Sequence, residues 1–322
     1  MSGTITHTLV IPVYRNEAFL PDLLRTVEGI AAKVTGVMEA VFVIDGSPDS
    51  SEEWLLVHLE GWQVPSQLVV LSRNFGSFTA IRVGLAQARG ACIAVMAADL
   101  QEPPELVTEF FRVLGEGRHD IAIGTRASRA DPLAGKLASG LFWRVYRALV
   151  QPEMPPAGID MFAVTRKARD SLLQLEESHS SLVAQLLWIG FDRAEVPYDR
   201  RARTQGESGW TLRRKLRYLF DSIFSFTDIP ITLLTLIGFA GTFAFLVLGA
   251  VLLVLRLSGA IAVEGYTAIM VAILFSASLI LLGLGIVGNY VWRTYENTKQ
   301  RPLGIVRARR EFSGKEAQDG SR

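Results

Sequence analysis

The chain has 322 residues, 49% of them hydrophobic, with a mean hydropathy of +0.28 and a net charge of +1. That hydropathy is high for a soluble protein and directs attention to membrane segments, while the near-neutral charge provides no global attraction to nucleic acid. The single cysteine, Cys92, excludes a disulfide framework and a thiolate metal site. The opening stretch, MSGTITHTLVIPVYRNE, has no basic segment and no long apolar one. It predicts no secretory signal and a first domain that stays in the cytoplasm.

Along the first two thirds of the chain, short apolar runs rich in β-branched residues predict strands at 9–13, 40–45, 66–72, 91–99 and 120–125. Stretches at 19–33, 50–60, 78–88 and 105–114 predict the helices between them. This alternation predicts an α/β domain with a mostly parallel sheet covered on both faces. Such sheets take ligands at the carboxyl ends of their strands.

Two amphipathic stretches follow. Residues 136–150 mix Phe142, Trp143 and Tyr146 with Lys136, Arg144 and Arg147. They suit either an anionic membrane surface or a face packed on the domain. Residues 210–226 begin with Arg213, Arg214, Lys215 and Arg217 and end in Phe220, Ile223, Phe224 and Phe226. They predict a juxtamembrane helix, because they lead directly into an uncharged run. Residues 229–255 form that run of 27, and residues 265–292 a second of 28. A span needs about 20 apolar residues, so both predict transmembrane helices. Residues 193–217 carry eight Lys/Arg against three Asp/Glu, and residues 293–310 carry six against one. The positive-inside bias then places both flanks and both termini in the cytoplasm. The expected organisation is a domain over 1–209, a juxtamembrane helix over 210–228, a two-helix hairpin over 229–292 and a tail over 293–322, with residues 313–322 disordered.

The chemistry is sought at the strand ends. Asp45 follows the second strand, Asp99 and Gln101 the fourth, and Arg126 the fifth. An aspartate in such a place either caps the next helix or faces a ligand. Asp45 has the chemistry to accept hydrogen bonds from a base or ribose. Asp99 and Gln101 offer oxygen ligands suited to Mg²⁺ or Mn²⁺, which would neutralise a diphosphate. No phosphate-cradling G-x-x-x-x-G-K-[ST] loop is present, so an ATPase reading lacks its cradle. His7, His58, His119 and His179 lack metal-ligand spacing and read as structural or surface residues.

Taken in order, VIPVYRNE, VIDGSPD, LSRNFGSFTAIRVGL, VMAADLQEPPEL, GTR, RRARTQGESGW and the two spans resemble the family 2 inverting glycosyltransferases. The likeness runs from about residue 8 to about residue 307. It is greatest to those that use a polyisoprenyl phosphate, such as dolichol-phosphate mannose synthase and the bactoprenol glucosyltransferases. The resemblance implies a GT-A fold, a nucleotide-sugar donor, a divalent metal and a polyprenyl phosphate acceptor, with undecaprenyl phosphate expected because the two-span form resembles the bacterial type. It leaves room for a homo-oligomer. Matched position by position, Pro12, Tyr14, Glu17, Val43 and Asp45 correspond to residues that hold the nucleotide, with Ala97 and Ala98 alongside the donor sugar. Asp99 and Gln101 correspond to metal ligands. Arg126 and Arg203 correspond to residues that hold donor or lipid phosphates, and Arg200 and Ser208 join Arg203 on the acceptor side. The implied catalytic set is Asp99, Arg126 and Arg203. Three positions depart from the family pattern: Ala97 replaces the first Asp of an Asp-x-Asp triplet, Ile44 the first of a double Asp, and Gly209 a common lysine.

The acceptor also has a chemical argument of its own. An alcohol nucleophile needs a base to take its proton. A phosphate monoester, with a second pKa of about 6, is already largely dianionic at neutral pH. Such a site needs positioning and positive charge, and arginine forks suit that task. Two alternatives stand beside this reading: a polysaccharide synthase of the same family, and a non-catalytic membrane protein that binds a nucleotide-sugar or a lipid carrier.

Overall fold

The computed structural model describes residues 4–128, 133–156, 158–178, 180–199, 212–258 and 265–314. The chain divides into two compact units, Met1–Thr211 with Pro302–Arg322, and Leu212–Arg301. The first unit contains, in chain order, β1 (Ile5–Val13), α1 (Leu20–Ala31), β2 (Val37–Ile44), α2 (Ser51–His58), β3 (Ser66–Leu71), α3 (Ser77–Gln87), β4 (Cys92–Val95), α4 (Pro104–Gly115), β5 (Ile121–Ser128), α5 (Leu133–Leu149), β6 (Phe162–Thr165), α6 (Arg166–Leu173), α7 (Leu182–Trp188) and β7 (Arg193–Asp199). The second unit contains α8 (Leu212–Phe226), α9 (Ile229–Leu257) and α10 (Tyr266–Thr298), after which β8 (Val306–Phe312) belongs to the first unit again.

The eight strands form one sheet in the order β7-β5-β6-β4-β1-β2-β3-β8. Only β6 and β8 run against the others. Because side chains alternate across a strand, β1 sends Leu9, Ile11 and Val13 to one face and Val10 to the other. The first face packs under α1, α2 and α4, and the second under α3, α6 and α7. Leu20, Leu23, Leu24, Val27 and Ile30 of α1 recur at helical spacing, so one stripe of that helix is buried.

All five expected strands are present. Three more, β6, β7 and β8, are not apparent from hydrophobic pattern. Pro197 sits in β7, an edge strand, where its missing N–H is tolerated. β8 reads VRARREF, and residues expected to form a tail instead cover the edge of β3. The aromatic residues of α5 pack inward: Tyr146 is fully buried and Trp143 lies against Gly158. Of the two readings for residues 136–150, packing on the domain describes this face.

A buried charge ties the far end of the sheet together. Glu39 of β2 is 0% exposed and accepts from Thr8 (2.8 Å), Gln67 (3.1 Å) and the backbone and side chain of Arg89 (both 2.7 Å). Arg89 reaches across to Glu311 of β8 as well, at 3.0 Å.

In the second unit, the uncharged runs form α9 and α10. Among the described residues, one helical segment, Phe275–Thr298, is long and apolar enough to cross a bilayer, and none of it is buried. Tyr218–Phe226 and Ile229–Gly241 meet that measure only as a pair bent by 74°. Arg293 of α10 anchors α8: its guanidinium bonds Asp221 (2.8 Å), Ser225 (3.0 Å) and Asn289 (3.0 Å) and lies 5.4 Å from the centre of the Phe224 ring.

Replacing Arg89 strands the buried Glu39 carboxylate, whereas replacing Glu311 removes an exposed partner. Arg89→Ala is expected to destabilise the protein by about 3 kcal/mol, and Glu311→Ala by less than about 1 kcal/mol. Unfolding midpoints of the purified variants check this, and equal shifts would contradict it.

Candidate active site

The carboxyl ends of β1, β2, β3, β4, β5 and β7 lie on one edge of the sheet, and the segment that enters β6 starts there too. Strand ends leave backbone N–H groups that need acceptors. Here carboxylates supply them. Asp45, 2% exposed, accepts from the backbone N–H of Phe75 (2.7 Å) and of Gly76 (2.9 Å). Burial raises its pKa, against the lowering effect of those two bonds and of Arg73. Gly46 follows at φ 56, and a Cβ there would stand 2.4 Å from the backbone of Arg73 and Asn74. Residues 72–76 are thus fixed against the tip of β2. They present Arg73, whose guanidinium lies 4.2 Å from the centre of the Phe75 ring.

The tip of β1 interlocks with the same region. Arg15, at φ 57, donates its backbone N–H to Ser47 (2.7 Å), and its guanidinium sits 5.5 Å from the Tyr14 ring centre. The backbone N–H of Glu17 donates to Asp49, and the Glu17 carboxylate accepts from Ser50, both at 3.1 Å. Glu17 therefore serves the amino end of α2. Burial pushes the Asp49 carboxyl up, but hydrogen bonds from Ser47, Ser51 and the Glu17 backbone outweigh it and leave its pKa below the ordinary value.

Of the expected donor residues, Tyr14 is exposed, Asp45 anchors the neighbouring loop, and Val43 is fully buried beneath α3, where a Cβ on Gly84 would meet it. Pro12, half-buried in β1, pairs with Val43.

β4 ends at Val95, so residues 96–99 belong to the turn and not to the strand. Ala98 is buried and Ala97 half-buried. Leu100 adopts φ 55, an uncommon conformation for a branched side chain, between Asp99 and Gln101. Asp99 accepts the Gln101 backbone N–H at 3.4 Å. Both side chains carry oxygen donors of the kind a hard cation takes. Among the described residues, no three His, Cys, Asp or Glu side chains gather to hold an ion. The pair fits a cation whose other ligands come from a diphosphate and water.

Arg126 at the end of β5 spends its fork on Asp160: Nε to Oδ2 at 2.5 Å and Nη2 to Oδ1 at 2.7 Å. The Tyr198 hydroxyl donates to Asp160 Oδ2 at 2.8 Å. Burial, then Asp160, then Glu102 push the Tyr198 hydroxyl well above its usual pKa. Burial lowers the Arg126 pKa, and the Asp160 pair more than reverses that, so Arg126 stays charged. The influence of Glu102 links this cluster to the tip of β4. Sequence reading missed Asp160, Tyr198 and Arg73. Asp160 precedes a strand with no clear pattern, Tyr198 sits among charged residues, and Arg73 stood inside a recognised motif without a role. Arg200, Arg201, Arg203 and Ser208 lie outside the described residues; Asp199, the last one before them, ends β7 on this edge.

The sequence profile of Glycosyl transferase family 2 matches residues 8–168. An uncharacterized glycosyltransferase of Synechocystis sp. is 32% identical, covering 94% of this chain and 95% of that one. The undecaprenyl-phosphate 4-deoxy-4-formamido-L-arabinose transferase of Pseudomonas aeruginosa is 33% identical, over 93% of this chain and 88% of its own. The chain belongs to glycosyl transferase family 2. It is a glycosyltransferase, which sets aside the non-catalytic alternative. The fold agrees: glucosyl-3-phosphoglycerate synthase from Mycobacterium tuberculosis, solved with Mn²⁺, uridine diphosphate and glucosyl-3-phosphoglycerate, aligns with a TM-score of 0.50 at 17% identity, over 73% of this chain and 79% of that one. The sheet of this glycosyltransferase is a mixed, Rossmann-like GT-A sheet.

Asp45→Ala frees residues 72–76 and is expected to raise the dissociation constant for a nucleoside diphosphate by roughly ten- to a hundred-fold, since bonds to a charged acceptor carry about 1.5–3 kcal/mol. Acidification has the same sense. Because burial holds the Asp45 pKa above the ordinary aspartate value, the carboxyl gains its proton earlier than a free aspartate as pH falls and loses an acceptor. Affinity is then held on the alkaline side and lost on the acid side. Calorimetry across pH checks both statements.

Proposed function

We propose that this enzyme transfers a sugar from a nucleoside-diphosphate sugar to a polyprenyl phosphate, with inversion, at the cytoplasmic face of a membrane. The observation that carries the reading is the likeness, over 93% of this chain, to a transferase named for undecaprenyl phosphate. The exposed apolar segment Phe275–Thr298 supports a membrane setting. In the site, Asp160 is committed to Arg126 and Tyr198, which suits an acceptor that arrives already deprotonated.

The donor's nucleotide lies over the tips of β1, β2 and β3, and its diphosphate faces Asp99 and Gln101. These two residues would hold Mg²⁺ or Mn²⁺, which would supply positive charge for the leaving diphosphate. Arg203, with Arg200 and Ser208, grips the lipid phosphate and aims one of its oxygens at the anomeric carbon. Arg126, held by Asp160, fixes the end of β5 beside the donor. Both uncharged runs cross the membrane, and both termini are cytoplasmic. The domain over 1–209 and the juxtamembrane helix over 210–228 lie on that side, and the segment over 293–322 returns to it.

The test incubates purified protein with labelled nucleotide-sugars, Mn²⁺ and undecaprenyl phosphate, then extracts the lipid. Labelled lipid is expected from the unaltered chain and none from Asp99→Asn. In the same assay Arg203→Ala lowers turnover at least about ten-fold, the effect of losing one charged phosphate contact, with nucleotide affinity nearly unchanged. A large fall in nucleotide affinity would instead move Arg203 to the donor side. Topology has its own check. In a chain carrying Cys92→Ser, Ser258→Cys should react with an impermeant thiol reagent only from the non-cytoplasmic side, and reaction from the cytoplasm alone would overturn the two-span arrangement.

A further inference from the structure

β8 lies far from the matched family segment in sequence, yet the residues that lead into it, Gly304 and Ile305, meet the loop after β3 and the start of α3. Antiparallel pairing sets Leu71 of β3 opposite Val306, and one step further the Ser72 backbone N–H donates to the Ile305 carbonyl at 2.9 Å. Ser72 opens the loop that Asp45 and Gly46 hold further along. Gly304 lies against the first turns of α3. A Cβ there would stand 2.8 Å from Thr79 Cγ2 and 3.1 Å from Val83 Cγ2. The opposite end of β8 is fastened separately: Glu311 pairs with Gln67 in register and binds Arg89, and Gly314 packs on Gln63 and Pro65. The strand is therefore tied at both ends, and only one end touches the site.

We propose that β8 is a positioning element for the donor. The segment that follows α10 in the chain holds residues 72–76, and with them Arg73 and the start of α3, in the arrangement that receives the nucleoside diphosphate. Ile305 holds the loop at Ser72 and Asp45 holds it at Phe75 and Gly76, so its backbone is fixed at both ends before the ligand arrives and ordering it costs less on binding. Each grip uses the backbone N–H groups of the loop and leaves the Arg73 side chain exposed to the ligand. The inference rests on the donor site proposed above and assigns it a part that comes from the carboxyl-terminal strand.

The experiment uses the full chain in detergent and reads two quantities: hydrogen–deuterium exchange over residues 72–76, and affinity for uridine, guanosine, adenosine, cytidine and thymidine diphosphates with Mn²⁺. Gly304→Val crowds Thr79 and Val83 and pushes the strand off the loop. Exchange at 72–76 is expected to rise, and the dissociation constant for whichever nucleotide the unaltered chain binds to rise about ten-fold, the factor carried by one well-placed hydrogen bond. Adding Thr79→Ser and Val83→Ala restores the space and most of the affinity. Glu311→Ala loosens the other end: exchange rises near Gln67, while residues 72–76 and the affinity stay unchanged. Unchanged exchange at 72–76 in Gly304→Val overturns the proposal. So does faster exchange with unchanged affinity, or an equal loss of affinity in Glu311→Ala, which would make β8 a general staple of the sheet. If the unaltered chain binds none of the five nucleotides, the donor site itself falls and the proposal with it, a result distinguishable because it appears before any variant is made.

Discussion

Parallel strands end with unpaired backbone N–H groups, and here acidic side chains and one returning strand satisfy them. Asp45 takes two such groups from the loop after β3, Asp49 takes one from the β1 tip, and Glu17 takes one at the start of α2. Each bond joins neighbouring strand tips, so the loops along this edge form one surface. The rest of the site depends on that constraint. A glycosyltransferase must hold a flexible, highly charged donor, and fixed loops reduce the cost of ordering it. Asp45 and Glu17, which read as ligand contacts in sequence, also hold the loops of this edge to one another.

The same division holds at the other end of the edge. Arg126 meets Asp160 with its fork, and Tyr198 completes the carboxylate's shell. A carboxylate with an arginine fork and a phenol on it is a poor proton acceptor, because taking a proton means giving up charged bonds. The arginine and the carboxylate offset each other's charge, so the cluster is a fixed, neutral anchor at this end of the edge.

Much of this was legible in the sequence. Strong apolar runs revealed β1 to β5, and the polar residues after them pointed to the edge where the strand tips meet. What stayed hidden has physical causes. β6 is four residues long, β7 mixes charged residues with a proline, and β8 has three arginines and a glutamate among its seven residues. β6 has strand-forming residues but is too short to stand out, while β7 and β8 are strands because of their neighbours and not because of their own propensity. Asp160 and Arg126 are 34 positions apart, a pairing that spacing does not reveal. Val43 matched a nucleotide contact by position, and its side chain packs under α3 because both faces of β2 are covered. The uncharged runs were plain, and they form α9 and α10, with Phe275–Thr298 the segment that meets the measure of a span.

The central claim is that the lipid phosphate itself attacks the donor sugar. The most direct measurement supplies polyprenyl phosphate labelled with ¹⁸O in its non-bridging oxygens and locates the label in the product by mass spectrometry and ³¹P NMR. The account predicts a single phosphate in the lipid product, an ¹⁸O atom bridging phosphorus and the anomeric carbon, and an unlabelled nucleoside diphosphate released. A lipid diphosphate, or a bridging oxygen without label, would contradict it.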